Sequence, residues 1–257
     1  MIQSPPRHVF RRTLGSRLEL CLAVFVGANL FLAAWPARPT YALGAVAIFA
    51  ACAALWVRTG RTAVAIYGEG VRQSSLFRER ELLWNEIAEY RCLIVSNQIG
   101  MVRGLTRIVS RNVEAPARGM PAGALILTLV GRNRPDIRVT PDFEHARQAV
   151  AIIVQEIHDR IKPELKRRLA QGEEISFGRL GLSLRGVSWW GHQRIPATEI
   201  GKVEISGAKL YIPYRGKLLP STLSMSTETI PNALLALELL QELRANAGLE
   251  GVAEVFA

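Results

Sequence analysis

The sequence predicts an α+β protein in which a transmembrane two-helix hairpin precedes two tandem antiparallel β-barrel or β-sheet modules, each closed by a C-terminal helix. Three observations predict this fold class. Two long apolar segments, residues 18–35 and 40–57, lie near the N-terminus with a short turn between them. From Thr62 onward the apolar pattern becomes the short alternation that is typical of strands. After Gly172 the same order of short strands and a final helix begins again, which indicates an internal repeat.

The two apolar segments predict membrane-spanning helices. A helix of 18 residues is about 27 Å long, close to the ~30 Å hydrocarbon core of a bilayer. Both segments are apolar all round, and Glu19 is the one charged residue in either. A secretory signal is the alternative, because arginines precede the first segment. The turn Pro36-Ala37-Arg38-Pro39 is a poor cleavage site, however, and a second full-length apolar segment follows it.

Arginines flank both ends of the predicted hairpin and indicate its orientation. Four precede the first segment and two directly follow the second, whereas the turn contains one. The positive-inside rule therefore predicts an integral protein of the cell inner membrane with both termini in the cytoplasm, and the lipid bilayer as a partner. The predicted divisions are a basic N-terminus (1–17), the hairpin (18–57), a first module (62–171), a second module (174–247) and a tail (248–257).

The composition argues against several classes of function. Residues 1–61 carry seven arginines and one glutamate, so most of the net charge of +10 lies beside the predicted hairpin. No basic cluster is interleaved with aromatic residues, so we expect no nucleic-acid partner. The three cysteines and four histidines lack the spacing of a disulfide framework or a metal site. Phosphate loops, nucleophile elbows and catalytic triads are also missing, so we expect no enzyme, cofactor or metal.

The first module is predicted from strands and turns in sequence. Gly68-Glu69-Gly70 predicts a turn between two strands, and further strands are predicted as far as Thr140. A helix follows, because Pro141 and Asp142 suit its first turn. Pro163 is expected to bend or break this helix.

The second module repeats several short motifs of the first. Gly186-Val187 corresponds to Gly70-Val71, Glu199-Ile200 corresponds to Glu86-Ile87, and a last apolar helix opens at Ile230-Pro231-Asn232. With Trp84-Asn85 and Ile175-Ser176-Phe177-Gly178, these motifs make the chain resemble the uncharacterised bacterial membrane proteins with pleckstrin-homology-like (PH-like) domains. The resemblance covers residues 62–245 and implies binding or scaffolding at the inner membrane. Ala197 stands where the first module has Trp84, which departs from the repeat.

Two groups of arginines are candidate contacts with lipid headgroups or with a protein partner. Arg72, Arg78 and Arg80 fall on one predicted hairpin, like the basic residues with which some PH domains hold phosphorylated lipid heads. Glutamates alternate with them, so a solvated hairpin is the alternative. The second group lies on or beside one predicted strand with spacing that places its members on a common face. This group consists of Arg103, Arg107 and Arg111.

The pair Trp189-Trp190 is a further candidate contact. Adjacent strand residues face opposite sides, so one ring is expected in the core and the other at the surface, where it could meet a partner or cover a neighbouring module. Taken together, the sequence predicts a membrane-anchored cytoplasmic binding or scaffold protein with a protein partner of unknown identity and no catalysis of its own. The alternatives are an accessory subunit of a membrane enzyme or transporter, and a sensor of anionic lipid through the arginine-rich faces.

Overall fold

A computed structural model shows an α+β chain with several antiparallel sheets and few helices. The structure describes residues 4–13, 38–75, 78–95, 124–190, 193–215 and 220–255, together with residues 2, 18, 21, 22 and 24–26.

The predicted transmembrane hairpin is wrong. In the part of the chain that the structure describes, no helix has both the length and the apolar character needed to cross a membrane. Helix α1, Arg38–Gly60, contains the second predicted segment, and most of the first segment lies outside the described residues. The prediction required two continuous apolar helices, and the described residues do not provide them. The predictions of an integral membrane protein, of an inner-membrane location and of two cytoplasmic termini depended on the hairpin and are corrected with it.

The first sheet contains four antiparallel strands in chain order. These strands are β1 (His8–Arg11), β2 (Ala63–Ile66), β3 (Gly70–Ser74) and β4 (Glu79–Leu83). Because β1 pairs with β2, N-terminal residues belong to this sheet although α1 separates the two strands in sequence. Side chains alternate between the faces, and the inner face holds the buried residues Phe10, Val64, Ile66, Val71 and Leu82.

A second sheet and a long helix complete the first module. The sheet consists of β5 (Ile87–Val95), β6 (Ala124–Gly131) and β7 (Ile137–Val139), and the helix is α2 (Ala146–Ala170). One hydrophobic core joins both sheets to the N-terminal half of α2, which contributes Val150, Ile153 and Ile157.

Helix α2 continues through Pro163 to Ala170, so this proline does not break the helix, and a bend there stays a prediction. Apolar side chains on both sides of the proline are packed. Ile157 belongs to the core of the first module, whereas Leu169 belongs to the core of the second. We attribute the continuity of the helix to this burial, which outweighs the local cost of about 3 kcal/mol that proline imposes inside a helix.

The second module repeats the order of the first. Its strands form a four-stranded sheet, β8 to β11, and a three-stranded sheet, β12 to β14. In the described residues the strands of both modules form separate antiparallel sheets, and no barrel closes. The predicted barrels are corrected accordingly. The elements are β8 (Ile175–Phe177), β9 (Leu180–Ser183), β10 (Gly186–Trp189), β11 (Gln193–Pro196), β12 (Glu204–Ser206), β13 (Lys209–Arg215), β14 (Pro220–Ser226) and α3 (Ala233–Val255).

The two modules pack against each other. Leu234 of α3 lies in the core of the first module, whereas the next residues of that helix lie in the second core. Ile161 and Ile205 contact both cores. The sequence did not reveal whether the modules touch, because Leu234, Ile161 and Ile205 are ordinary apolar residues of their own helices and strand.

Candidate functional site

A pocket of about 490 Å³ lies on the outer face of the first sheet, beside the C-terminal end of α1. Strands β1, β2 and β3 form its floor, because residues two apart on each strand point to the same side. The opposite side of the same strands faces the core, so the pocket lies on the outer side, with the last residue of α1, Gly60, at its edge. Its lining comprises Val9, Arg11, Gly60, Arg61, Ala63, Ala65, Tyr67, Arg72, Ser74 and Glu79. We call this site the basic pocket.

Three arginines give the basic pocket its positive charge. Arg72 forms ion pairs with Glu81 and, at 3.5 Å, with Glu79. Arg11 and Arg61 are exposed, and neither makes a side-chain ion pair or hydrogen bond with another residue that the structure describes. The charge of Arg72 is therefore compensated within the sheet, whereas those of Arg11 and Arg61 are available to a ligand.

The Arg72 side chain is held firmly in place at the centre of the pocket. Its Nη2 atom donates to the carbonyl of Ile2 at 3.2 Å, and its guanidinium lies 5.3 Å from the centre of the Tyr67 ring. Ion pair, hydrogen bond and ring contact together restrict the rotamers of a long side chain. The ligand would thus meet one fixed and two adaptable arginines.

The structure separates the three arginines that the sequence placed together on one hairpin. Arg72 lies in the basic pocket, and Arg78 is exposed at the turn between β3 and β4. Arg80 lies on the opposite face of β4 from Glu79, and donates from Nη1 to the carbonyl of Asp136 at 2.7 Å. The other predicted group, Arg103, Arg107 and Arg111, lies outside the described residues.

Sequence reasoning missed Arg11 and Arg61, which it treated as charges flanking a membrane span. The short alternation of His8 to Arg11 was the signal that could have identified β1, since Phe10 is buried while its neighbour Val9 is half exposed. Pairing of β1 with β2 places Arg11 opposite Ala63, close to Arg61 in sequence.

The corresponding face of the second module is occupied by one of the protein's own carboxylates. The register of the strands makes Ser188 the equivalent of Arg72, and Gly181 the equivalent of Ala65. Glu174 accepts a hydrogen bond from Ser188 and lies 3.7 Å from Arg194. A β-carbon at Gly181 would collide with both the Glu174 carboxylate and the Ser188 hydroxyl. Both modules therefore satisfy the equivalent positions internally, Ser188 with Glu174 and Arg72 with Glu81. The first module differs in Arg11 and Arg61, which have no such carboxylate among the described residues.

Trp189 and Trp190 lie at the end of β10 and have different surroundings. Trp189 packs against the core of the second module, whereas Trp190 is 53% exposed. Trp190 has a left-handed backbone with φ of 56°, which is rare for a bulky residue. Its ring lies 3.9 Å from the Arg179 guanidinium and 6.3 Å from the Trp189 ring in an edge-to-face arrangement. A partner contact at these rings stays a prediction.

A chain of polar groups, buried at Tyr90 and His158 and partly exposed at Glu238 and Glu242, joins the two modules. The Tyr90 hydroxyl of β5 lies 2.8 Å from Nε2 of His158 on α2, whose Nδ1 lies 3.1 Å from Oε2 of Glu238 on α3. Lys162 pairs with Glu238 and, at 2.8 Å, with Glu242. We call these five residues the interface cluster. Tyr90 is completely buried, so no substrate can reach its hydroxyl, and the arrangement is unlike an accessible catalytic triad.

Burial and ion pairing shift the ionisation of the interface cluster in opposite directions. Burial raises the pKa of Tyr90 well above its ordinary value and lowers the pKa of His158, although the Glu238 carboxylate opposes the latter effect. Burial also opposes the charges of Lys162 and Glu242. Hydrogen bonds to Glu238 and Glu242 outweigh this effect at Lys162, and hydrogen bonds from Lys162 and Lys166 outweigh it at Glu242. The pKa of Lys162 is therefore raised and that of Glu242 is lowered. The cluster thus contains a neutral part and a charged part.

Metal and cofactor sites were not expected from the sequence. Within the described ranges, no group of three or more histidine, cysteine, aspartate or glutamate side chains is placed to hold a metal ion. The chemistry available in the basic pocket is that of guanidinium groups, which hold phosphate and carboxylate oxygens by paired hydrogen bonds.

Comparison with known proteins places the chain in a family. A family model, described as a family of unknown function (DUF6585), matches residues 7–248. The chain belongs to DUF6585. No curated protein and no solved structure matches it. The DUF6585 match spans both modules and begins at β1, in agreement with the pairing of β1 and β2. The resemblance to PH-like domains stays a prediction.

Proposed function

We propose that the protein is a non-catalytic binding protein whose basic pocket holds an anionic group of the phosphate or carboxylate class. The observation that carries the proposal is the presence of Arg11 and Arg61 beside one pocket, without ion-pair partners among the described residues. Clustered like charges repel each other. An anion that binds between Arg11 and Arg61 would relieve this repulsion, so its binding is electrostatically favourable.

The second module provides an internal precedent for this chemistry. On its corresponding sheet face, the Glu174 carboxylate lies against Ser188 and Arg194. A carboxylate supplied by the chain itself therefore lies beside a basic residue on that face, whereas Arg11 and Arg61 of the first module have no such carboxylate among the described residues. This comparison supports an external anion at the basic pocket.

The test compares the binding of two anionic probes by the full chain and by charge-neutralising variants. Inorganic phosphate represents a free anion, and vesicles of phosphatidic acid in phosphatidylcholine represent a headgroup at a surface. Arg11→Gln and Arg61→Gln should each weaken binding about tenfold, the size of one lost charge-assisted hydrogen bond. Arg185→Gln is the matched control, because Arg185 is exposed on the turn before β10, outside the pocket.

Each outcome has a defined meaning. Binding of phosphate alone identifies a free anion as the ligand, and binding of vesicles alone identifies a headgroup. Binding should weaken as salt increases, since exposed charges are screened. If neither probe binds, or if Arg185→Gln weakens binding as much as Arg61→Gln, the proposal is wrong.

A scaffolding role is the second candidate, favoured by the exposed ring of Trp190. Its left-handed backbone and its contact with Arg179 hold a large apolar side chain at the surface, and exposed aromatic residues are enriched in protein interfaces. We propose that a protein partner contacts this site, either as a client of a scaffold or as the catalytic subunit of an enzyme or transporter. Crosslinking with a Trp190→Ala control tests this, and an unchanged crosslinking pattern would exclude the site.

A further inference from the structure

We propose that the interface cluster is a pH-sensitive contact between the modules, in which protonation of His158 removes the acceptor of the Tyr90 hydroxyl proton and loosens α3 from the first module. The proposal does not depend on the basic pocket. It rests on the hydrogen-bond donors and acceptors around one buried group, the Tyr90 hydroxyl.

The Tyr90 hydroxyl has a defined direction of hydrogen bonding. The backbone N–H of Leu235 donates to the Tyr90 oxygen at 3.1 Å. The hydroxyl oxygen therefore accepts a hydrogen bond from α3, and the hydroxyl proton must be donated to a different group. The neighbouring acceptor is Nε2 of His158, at 2.8 Å. Tyr90 is thus the donor and His158 the acceptor in this bond.

This direction determines the tautomer of His158. Because Nε2 accepts, the ring proton of the neutral imidazole must be on Nδ1. Nδ1 lies 3.1 Å from Oε2 of Glu238, so it donates to that carboxylate. Every polar atom of the ring then has a partner, and the chain of bonds runs from Tyr90 through His158 to α3.

Protonation of His158 makes both ring nitrogens donors, so Nε2 can no longer accept the hydrogen bond that the Tyr90 hydroxyl donates. The Tyr90 oxygen could accept from Nε2–H, but its own proton would have to find another acceptor in a site that is completely buried. Nε2 of His158 is the acceptor beside the hydroxyl, whereas the backbone N–H groups of Leu235 and Leu234 on α3 are donors. An unsatisfied buried donor disfavours the closed contact.

Charged and titratable groups face His158 from three elements. From α2, Lys162 opposes an imidazolium and Asp159 favours it, and from α3 Glu238 favours it. From β5, Tyr90 and Cys92 are neutral, because burial raises the pKa of both groups, to about 12 for the thiol. The negative charge of Glu242 is balanced by its ion pairs with Lys162 and Lys166.

Burial of the His158 ring outweighs the favourable carboxylates, so the pKa of His158 is lowered in the closed structure. An opened His158 regains a pKa of about 6.5. Between these two values the opened form binds more protons than the closed form. The contact is therefore at full strength above about pH 6.5 and is lost progressively as the pH falls toward the lowered pKa.

The cluster is placed where opening would release the start of α3. Asn232 has a left-handed backbone, with φ of 53°. Its Oδ1 accepts from the Tyr90 N–H at 2.9 Å, and its own N–H donates to the Tyr90 carbonyl at 2.8 Å. Tyr90 thus holds α3 through both its backbone and its hydroxyl, and loss of the hydroxyl bonds should be reported by the amide of Leu235.

Hydrogen–deuterium exchange of the full chain tests the proposal. Protection of the Leu235 amide, corrected for intrinsic exchange, should fall about tenfold between about pH 7 and about pH 5, as expected for one titrating group. In His158→Gln, whose amide oxygen can still accept from Tyr90, protection should be independent of pH. His8→Gln is the matched control, because His8 is an exposed histidine outside the cluster, and should behave like the wild type.

A second variant keeps the test decisive if His158→Gln does not fold. Tyr90→Phe removes the hydroxyl proton that needs His158 as an acceptor, so His158 should protonate more readily beside Glu238. The Leu235 amide loses its acceptor and should be less protected at every pH. The readout in this variant is therefore the titration of the His158 ring followed by NMR, whose midpoint should move to higher pH than in the wild type. Constant protection in the wild type, an unchanged midpoint in Tyr90→Phe, or equal pH dependence in His158→Gln and wild type would each overturn the proposal.

Discussion

Gly70 shows how a single residue sets the distance between two strands. A β-carbon at this position would lie 2.8 Å from the Cα atom of Leu83 and closer still to the Leu82 carbonyl. Since these are backbone atoms, they cannot move aside without separating β3 from β4. Gly70→Ala should therefore lower the free energy of unfolding by on the order of 2 kcal/mol, the usual cost of overpacking.

Urea unfolding followed by circular dichroism measures this effect, and Gly68→Ala is its control. A β-carbon at Gly68 would approach only the Arg7 guanidinium, at 3.1 Å, and that side chain is mostly exposed and can move. Equal destabilisation by the two substitutions would show that the close approach of β3 and β4 does not limit stability.

The candidate site illustrates which single residues a sequence can identify. Arg72 was predicted because it lies on a short hairpin with a clear turn signal. Arg80 was grouped with Arg72 on the predicted hairpin. Residues an even number apart share a face only within one strand, and a turn separates Arg72 from Arg80. Pairing of Arg72 with Glu81 places Arg80 on the other face. The register of the two strands decides which face a residue takes after a turn. Counting residues along the sequence does not give that register.

At the scale of elements, β1 is where the structure differs from the sequence prediction, which placed these residues in a basic N-terminus outside the first module. Phe10 is 6% exposed and lies in the first core, whereas Val9 is 50% exposed. Phe10→Ala should lower the free energy of unfolding by about 3–5 kcal/mol, and Val9→Ala should change it by less than about 1 kcal/mol.

Chemical denaturation of the two variants provides the comparison. A large loss with Phe10→Ala and a small one with Val9→Ala would establish the N-terminal residues as part of the first module. If the two losses are alike, β1 contributes little to the core.

Elements with strong local signals were predictable, and elements defined by distant contacts were not. The predicted turn at Gly68-Glu69-Gly70 joins β2 to β3. Four residues of β1 carry too little alternation for a strand to be recognised, and their partner strand begins 52 residues later, at Ala63 after Arg11. Helix α2 passes Pro163 because of packing from two modules, which no local pattern records.

At the scale of the whole molecule, two cores share their helices. Residues 146–157 of α2 pack mainly in the first module and Leu169 packs in the second, while α3 contributes Leu234 to the first core. The repeat in the sequence predicted two similar units. It did not predict the interface cluster, because His158 and Glu238 are 80 residues apart and each is ordinary in its own helix.

Shared helices predict that the two modules unfold as one unit. Loss of the second core removes the packing of Leu169 and frees α3, and with it the bonds between α3 and Tyr90. Leu210 is completely buried in the second core, so Leu210→Ala should cost about 2–5 kcal/mol. Because the cores are coupled, this variant and Phe10→Ala should shift the same single transition.

Tryptophan fluorescence and far-ultraviolet circular dichroism, recorded during the same urea titration, measure that cooperativity. Trp84 reports on the first module and Trp189 on the second, so coincident curves from both methods indicate one transition. Leu184→Ala provides the control, since Leu184 is 53% exposed and should leave the midpoint nearly unchanged. Two separate transitions, one moved by Phe10→Ala and the other by Leu210→Ala, would show that the modules are independent. In that case the interface cluster could open without destabilising either core.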